Sequence, residues 1–97
     1  FRQALAWHRM PSLNWVWADT SGTIGWQVAA AAPVRRGYSG LLPAPADGRH
    51  EWEGRLPVLQ LPHVVDPPLG AFGTANEMNV PAGYAHPEAV GRWWEQW

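Results

Sequence analysis

The 97-residue sequence contains no cysteine and no lysine, and only 15% of its residues are charged. The lack of cysteine excludes disulfides, thiolate zinc sites and cysteine nucleophiles within this chain. A net charge of -1 gives no electrostatic footprint for nucleic acid or for an anionic membrane surface. No apolar run approaches the roughly 20 residues of a membrane-spanning helix. We therefore expect neither a nucleic acid nor a membrane as a partner.

Metal sites and serine nucleophiles also lack their sequence signatures. The pair His50-Glu51 begins like the zinc motif HExxH, but the fifth position is Gly54. The other histidines are dispersed without the spacing of metal ligands, and no serine lies in a G-x-S-x-G context. We expect no metal site, no cofactor and no serine nucleophile in this chain.

Tryptophan, in contrast, is abundant, with 8 residues. One tryptophan buries roughly 150 to 250 Å², and a chain of this size buries only about 60 to 65% of its unfolded surface. Some tryptophans are therefore expected to pack against something outside this chain, and others to form a core. An alternative is an exposed platform that stacks on sugar rings and consists of Trp15, Trp17 and Trp26. A Trp-rich carbohydrate-binding or non-catalytic interaction module is thus the alternative function.

Local patterns predict regular structure at both ends of the chain. Residues 1–10 have helical spacing that ends at Pro11, which predicts the tail of a helix. Residues 13–29 alternate with a period of two around an Asp-Thr-Ser-Gly turn, which predicts an antiparallel hairpin. Residues 88–97 return to helical spacing and end without a cap, which predicts a second, truncated helix.

The middle of the chain is rich in proline and glycine, and we expect little regular structure between residues 35 and 68. Pro33 is expected to stop the second hairpin strand. Residues 58–65 contain Pro62 and are interpreted as an edge strand or an extended connector. Residues 71–75 are interpreted as a short strand.

Residues 70–77, which read G-A-F-G-T-A-N-E, contain the main candidate for chemistry. Glycine and alanine let a ligand approach the backbone closely, and a carboxamide N–H is a suitable donor for a developing oxyanion. Asn76 is therefore the candidate catalytic residue, although an asparagine at a strand end also often satisfies backbone groups. Arg35 and Arg36 either bind a carboxylate or hold a loop, and the sequence does not separate these roles.

Four segments occur in the same order as in a known family. They read N-W-V-W-A-D-T-S-G-T-I-G-W at residues 14–26, P-V-R at 33–35, E-W-E-G-R-L-P at 51–57 and D-P-P-L-G-A-F-G-T-A-N-E at 66–77. In these segments the chain resembles the penicillin acylase family of N-terminal nucleophile hydrolases, which includes penicillin, cephalosporin and acyl-homoserine-lactone acylases.

The resemblance implies an α+β fold, in which residues 1–97 are a single incomplete segment of a larger αββα sandwich domain. The segment would lie in the interior of the β-subunit and contribute the antiparallel hairpin, the long Pro-rich loop and truncated helices at both ends. Its partners would be the remainder of the α- and β-subunits and a small acyl-amide substrate. The family also implies a periplasmic or secreted location.

The resemblance further implies how the parent protein works. A serine at the processed N-terminus, outside this chain, attacks the amide carbonyl while its own α-amino group acts as the base. Asn76 matches the family's oxyanion-hole donor. A supporting arginine is expected at or beyond Trp97 and is not assigned to Arg92. Many members bind structural calcium, but no ligand for it is identifiable here, and the acyl-pocket residues are unknown. We expect the segment alone to be inactive.

Overall fold

A computed structural model describes residues 1–40, 42–75, 79–80 and 83–85. The first elements in chain order are a 3-10 helix at Arg2–Trp7 and the strands β1 (Leu13–Ala18), β2 (Ile24–Ala29) and β3 (Pro33–Arg35). They are followed by β4 (Trp52–Arg55), a second 3-10 helix at Val58–Gln60 and β5 (His63–Val65). The described residues thus form small antiparallel sheets with little helix. None of their helices is long and apolar enough to cross a membrane.

The predicted hairpin is confirmed. β1 and β2 pair in antiparallel register from Leu13 opposite Ala29 to Ala18 opposite Ile24. The turn forms because the Asp19 carboxylate accepts the backbone N–H groups of Ser21 at 2.9 Å and Thr23 at 3.1 Å. Gly22 adopts a φ of 90°, which costs little only for glycine.

A third strand completes the hairpin sheet, in the order β1-β2-β5. β5 pairs antiparallel to β2, with Gly25 opposite Val65 and Gln27 opposite His63. The predicted edge strand is therefore present at residues 63–65. Residues 58–60 instead form a 3-10 helix, in which the N–H of Gln60 donates to the Pro57 carbonyl at 2.9 Å.

A second, two-stranded sheet consists of β3, at the start of the region expected to have little regular structure, and β4, which lies within that region. β3 and β4 pair antiparallel, with Pro33 opposite Arg55 and Arg35 opposite Trp52. The expectation that Pro33 stops the second hairpin strand was wrong, since β2 already ends at Ala29 and Pro33 begins β3. Proline is tolerated as the first residue of a strand, where its missing N–H is not needed.

Two further expectations require correction. The N-terminal helix is a 3-10 helix, in which the N–H of Ala4 donates to the Phe1 carbonyl at 2.9 Å. A segment this short gains little from α-helix propagation.

Residues 71–75 form no strand, because glycine and alanine offer little surface for cross-strand packing. Burial still alternates along them, with Phe72 and Thr74 half-buried between exposed neighbours. The helix predicted at residues 88–97 lies outside the described residues.

A buried carboxamide connects the two 3-10 helices to the sheet. Gln27 on β2 is fully buried, and its Oε1 accepts a hydrogen bond from Arg2 Nε at 2.8 Å. Its Nε2 donates to the Val58 carbonyl at 2.9 Å, while Arg2 Nη2 donates to the Leu59 carbonyl at 2.7 Å. This network holds both helices on one face of β2, next to the buried side chains of Leu5, Ala29 and Val58.

Candidate functional site

The segment that leads to Asn76 is attached to the hairpin by an aromatic stack. The ring of Phe72 lies against the indole of Trp26 with centroids 4.7 Å apart and planes inclined by 19°. Trp26 is only 3% exposed, and its Nε1–H donates to Asn14 Oδ1 on β1 at 2.8 Å. Phe72 therefore packs on a side chain that is itself fixed by burial and by a hydrogen bond.

The turn before this segment is also fixed to β2. The N–H of Asp66 donates to the Ile24 carbonyl at 2.9 Å, and the Ile24 N–H donates to Asp66 Oδ1 at 3.0 Å. Asp66 has a φ of 47°, a left-handed conformation that Asp and Asn adopt more readily than other non-glycine residues. The N–H of Gly70 then donates to the Pro67 carbonyl at 2.8 Å. The chain thus leaves β5 in a defined direction and crosses toward the hairpin.

An open, mainly apolar cleft lies between the turn and the hairpin. Its lining consists of Val16, Trp17, Ala18, Ile24, Gly25, Gly70, Ala71 and Phe72. Gly25 makes room for the Trp17 indole, because a Cβ at position 25 would lie 2.5 Å from Trp17 Cζ2. Small residues therefore shape this cleft, as expected where a ligand or another chain segment approaches the backbone.

Asn76 itself lies outside the described residues, so its role as oxyanion donor stays a prediction. The described residues on either side of it are connected directly. Asn79 Nδ2 donates to Thr74 Oγ1 at 2.9 Å.

The proposed sugar-binding platform does not form. Trp15 and Trp17 lie opposite Gln27 and Gly25, whereas Trp26 lies opposite Val16. Because side chains alternate between the faces of a sheet, Trp26 lies on the other face from Trp15 and Trp17, where it is buried. The Phe1 ring also lies near the other two, with centroids 5.9 Å from Trp15 and 6.0 Å from Trp17.

Comparison with known proteins identifies the family. A family model described as penicillin amidase matches residues 1–97. The chain belongs to the penicillin amidase family.

Relatives within the penicillin amidase family carry acylase names. An acyl-homoserine lactone acylase QuiP from Pseudomonas fluorescens is 46% identical over 77 residues, which is 78% of this chain and 9% of that protein. A penicillin acylase 2 proenzyme from Pseudomonas sp. is 45% identical over 64 residues, covering 65% of this chain and 8% of the relative. Penicillin G acylase from Escherichia coli is 36% identical over 66 residues, with coverages of 67% and 8%. The matched part of the chain thus covers less than a tenth of the length of these relatives.

The structure shows the surroundings of Arg35 and Arg36 in this family member. Arg36 Nη2 lies 2.6 Å from Glu53 Oε2, and the Arg36 side chain is 81% exposed, so Arg36 holds β3 near β4. Arg35 packs beside Gly40, where a Cβ would lie 2.7 Å from Arg35 Nε.

Among the described residues, no three His, Asp or Glu side chains come together in a group that could hold a metal ion.

Two carboxylates that lie in turns have lowered pKa values. The Ser21 hydroxyl and the backbone N–H groups of the turn lower the pKa of Asp19. Hydrogen bonds from the side chain and backbone of Arg49 lower the pKa of Asp47, and Arg49 Nε lies 2.9 Å from Asp47 Oδ2. Both shifts favour the charged carboxylate. Neither residue lines the cleft beside Phe72.

The residues that position the candidate segment were not predicted from the sequence. Phe72 is the only large side chain in a run of glycine and alanine, and this contrast signals an anchoring residue. The sequence indicates the hydrogen bond between Thr74 and Asn79 less clearly. Its only indication is the general tendency of asparagine side chains to form hydrogen bonds with residues nearby in the chain.

Proposed function

We propose that this chain is part of an amide hydrolase that cleaves acyl amides of the kind named in its relatives, penicillins and N-acyl-homoserine lactones. The proposal rests on membership of the penicillin amidase family together with one structural observation. The segment leading to Asn76 is anchored through Phe72 on the buried Trp26. A rigid attachment of this kind suits a residue that must be aligned with a reacting carbonyl.

In the proposed reaction, the serine at the processed N-terminus of the parent protein attacks the carbonyl carbon of the amide. Its α-amino group takes the hydroxyl proton and later delivers a proton to the departing amine. The carbonyl oxygen becomes an oxyanion in the tetrahedral intermediate, and the Asn76 carboxamide donates an N–H to it. Water then hydrolyses the acyl-serine ester and releases the carboxylic acid.

The proposal also specifies the larger protein. The three strands β1, β2 and β5 would belong to one sheet of an αββα sandwich, and the remainder of the α- and β-subunits would cover the apolar side chains that are exposed here. Trp7 is 82% exposed, and Leu69 is 93% exposed. A periplasmic or secreted location is a further part of the proposal.

The decisive experiment uses the full-length protein and p-nitroanilides that carry acetyl, phenylacetyl or decanoyl groups. The variant Asn76→Ala should lower kcat about 10²- to 10³-fold, as loss of one oxyanion donor does in other hydrolases. The exposed carboxamide of Gln3 supplies the control, since Gln3→Ala should leave kcat unchanged. An unchanged kcat in Asn76→Ala would contradict the role of Asn76.

Two further observations bear on the same proposal. The 97-residue chain by itself should not release p-nitroaniline, because the nucleophile and its base lie elsewhere. A residue other than Ser, Thr or Cys at the processed N-terminus of the full-length protein would instead favour a non-catalytic interaction module.

A further inference from the structure

A second cleft lies where the first 3-10 helix meets the chain segments that follow β2 and β4. Ala6 and Arg9 line it from the helix and the residues after it, Ala30 and Ala31 line it from the end of β2, and residues 55–59 complete it. Its volume is about 450 Å³, which lies in the usual range of small-molecule pockets, roughly 300 to 1,000 Å³. We call it the arginine cleft, because Arg9 and Arg55 supply its two charged side chains.

The walls of the arginine cleft are apolar and fixed in place. Leu56 and Val58 are buried, and the N–H of Leu56 donates to the Ala32 carbonyl at 2.9 Å. Arg2 Nη2 donates to the Leu59 carbonyl at 2.7 Å, which connects the wall to the buried Gln27 network. Such a cleft is formed before a ligand arrives, so binding requires little ordering of the protein.

The two arginines of the cleft come from distant parts of the chain. Arg9 Nη1 donates to the Ala6 carbonyl at 2.8 Å and to the His8 carbonyl at 3.0 Å, so one end of its guanidinium is held at the helix terminus. Arg55 is the last residue of β4. Neither arginine takes part in the ion pairs of the described residues, which join Arg36 to Glu53 and both Arg49 and His50 to Asp47.

No carboxylate among the described residues lines the arginine cleft. Glu53 and Asp47 are engaged in the ion pairs, whereas Asp19 and Asp66 accept backbone N–H groups around the hairpin turn. Glu51 is exposed and precedes β4. In the described part of the chain, the two positive charges of the cleft are therefore not balanced by a neighbouring carboxylate.

Positive charge beside apolar walls selects one kind of ligand. A guanidinium presents a planar fork of N–H donors that matches a carboxylate in a bidentate contact. The alanine, leucine and valine walls offer nothing to the hydration shell of a small inorganic anion, but they shield a hydrocarbon group from water. The charge and the lining together fit an organic acid whose carboxylate is attached to an apolar body.

We propose that the arginine cleft binds the carboxylic acid that the parent protein releases, with the carboxylate on Arg9 and Arg55 and the hydrocarbon body against Leu56 and Ala31. The choice of this acid rests on the proposed function, since hydrolysis of an acyl amide produces an acid of this class. The preference for an apolar carboxylate rests only on the charge and the lining of the cleft.

The test measures binding of decanoate and phenylacetate to the full-length protein by calorimetry. Arg55→Gln removes one charged donor and should raise Kd about 10- to 100-fold, as loss of a charge-assisted hydrogen bond does. Arg55→Lys keeps the charge without the planar fork and should give an intermediate Kd. Arg9→Gln should resemble Arg55→Gln and provides a second measurement. The control is Arg49→Gln, since Arg49 is exposed and does not line the cleft.

Neutral analogues separate the two parts of the recognition. Decanol and 2-phenylethanol have the same apolar bodies without the charge, and each should bind at least about 10-fold more weakly than the matching acid. Alcohols that bind as tightly as the acids would overturn the proposal, and so would equal Kd values in Arg55→Gln and Arg49→Gln. Absence of any heat of binding would show that another part of the parent protein fills the cleft, which also overturns it.

The binding measurement does not depend on catalysis. If the full-length protein hydrolyses the p-nitroanilides but neither acid binds through Arg55, this inference fails while the proposed function stands. If the acids bind through Arg55 and no p-nitroanilide is hydrolysed, the proposed function fails, and with it the assignment of the ligand as a reaction product.

Discussion

Trp26 and Phe72 lie face to face, with ring centroids 4.7 Å apart and planes inclined by 19°. Trp26 belongs to the hairpin, whereas Phe72 belongs to the segment that follows β5. The stack is therefore the main aromatic contact between the hairpin and the candidate segment in the described part of the chain. Together with the hydrogen bonds between Asp66 and Ile24, it attaches that segment to the hairpin.

Replacing Phe72 should weaken this attachment measurably. Phe72→Leu keeps most of the apolar area but removes the ring stack, so the free energy of unfolding should fall by about 1 kcal/mol. Urea denaturation followed by tryptophan fluorescence measures this change. The control is Leu69→Ala in the preceding turn, which should be nearly neutral because Leu69 is 93% exposed. If Phe72→Leu and Trp26→Leu proved additive in a double-mutant cycle, the stack would carry no coupling energy.

The buried carboxamide of Gln27 should be among the most sensitive positions in the chain. Gln27→Leu removes the donor to the Val58 carbonyl and the acceptor for Arg2. The buried polar groups left without partners should lower the free energy of unfolding by about 2 kcal/mol. Gln3→Leu, at an exposed position, is the matched control and should cost little. Equal urea midpoints for the two variants would show that the network contributes nothing.

Gly25 should tolerate no side chain. Gly25→Ala would place a Cβ 2.5 Å from Trp17 Cζ2, and the Phe1 ring beside Trp17 restricts the shift that would relieve this overlap. We expect a loss of about 1 to 3 kcal/mol in the free energy of unfolding. Gly73→Ala is the control, because a Cβ there meets nothing within 4 Å. A variant Gly25→Ala as stable as Gly73→Ala would contradict the observed packing of Trp17.

The hairpin turn should depend on pH through Asp19. Hydrogen bonds from Ser21 lower its pKa in the folded chain, so the charged carboxylate stabilises the fold above the ordinary pKa of about 3.9. This contribution is lost as the pH falls through the lowered folded pKa. Asp19→Asn should therefore lower the urea midpoint near pH 6 (about two units above the ordinary pKa), and the difference should disappear in strong acid. A difference that persisted after protonation would have a cause other than the carboxylate charge.

Local chemistry accounts for the parts of the fold that the sequence predicted. Asp19 and Gly22 specify a turn through interactions that reach only a few residues, and the alternating residues on either side specify two strands. Pro62 likewise restricts its surroundings to a strand edge or a connector, and β5 is indeed an edge strand. Each of these features depends on neighbours in sequence.

The register of the hairpin determined which face of the sheet carries Trp26, and the sequence did not predict this. Alternation places Trp15 and Trp17 on one face of β1, but it does not say which face of the sheet Trp26 shares with them. A shift of one residue in pairing would exchange the faces. The observed pairing sets Trp26 opposite Val16 and so buries it beneath Phe72. The three tryptophans therefore do not form a sugar-binding platform on one face of the sheet.

The sequence by itself determined the hairpin, the absence of cysteine chemistry and, through the ordered segments that resemble the penicillin acylase family, the family to which the chain belongs. It left residues 58–65 as either an edge strand or an extended connector, and the pairing of β5 with β2 decided between them. Only the tertiary structure decided that Gln27 and Arg2 join two 3-10 helices to β2, that Phe72 anchors on Trp26 and that Asn79 reaches Thr74. The physical reason is the range of the interactions. Turn and strand preferences act between near neighbours, whereas packing and most of these buried hydrogen bonds join residues far apart in the chain, which are paired by the folded backbone.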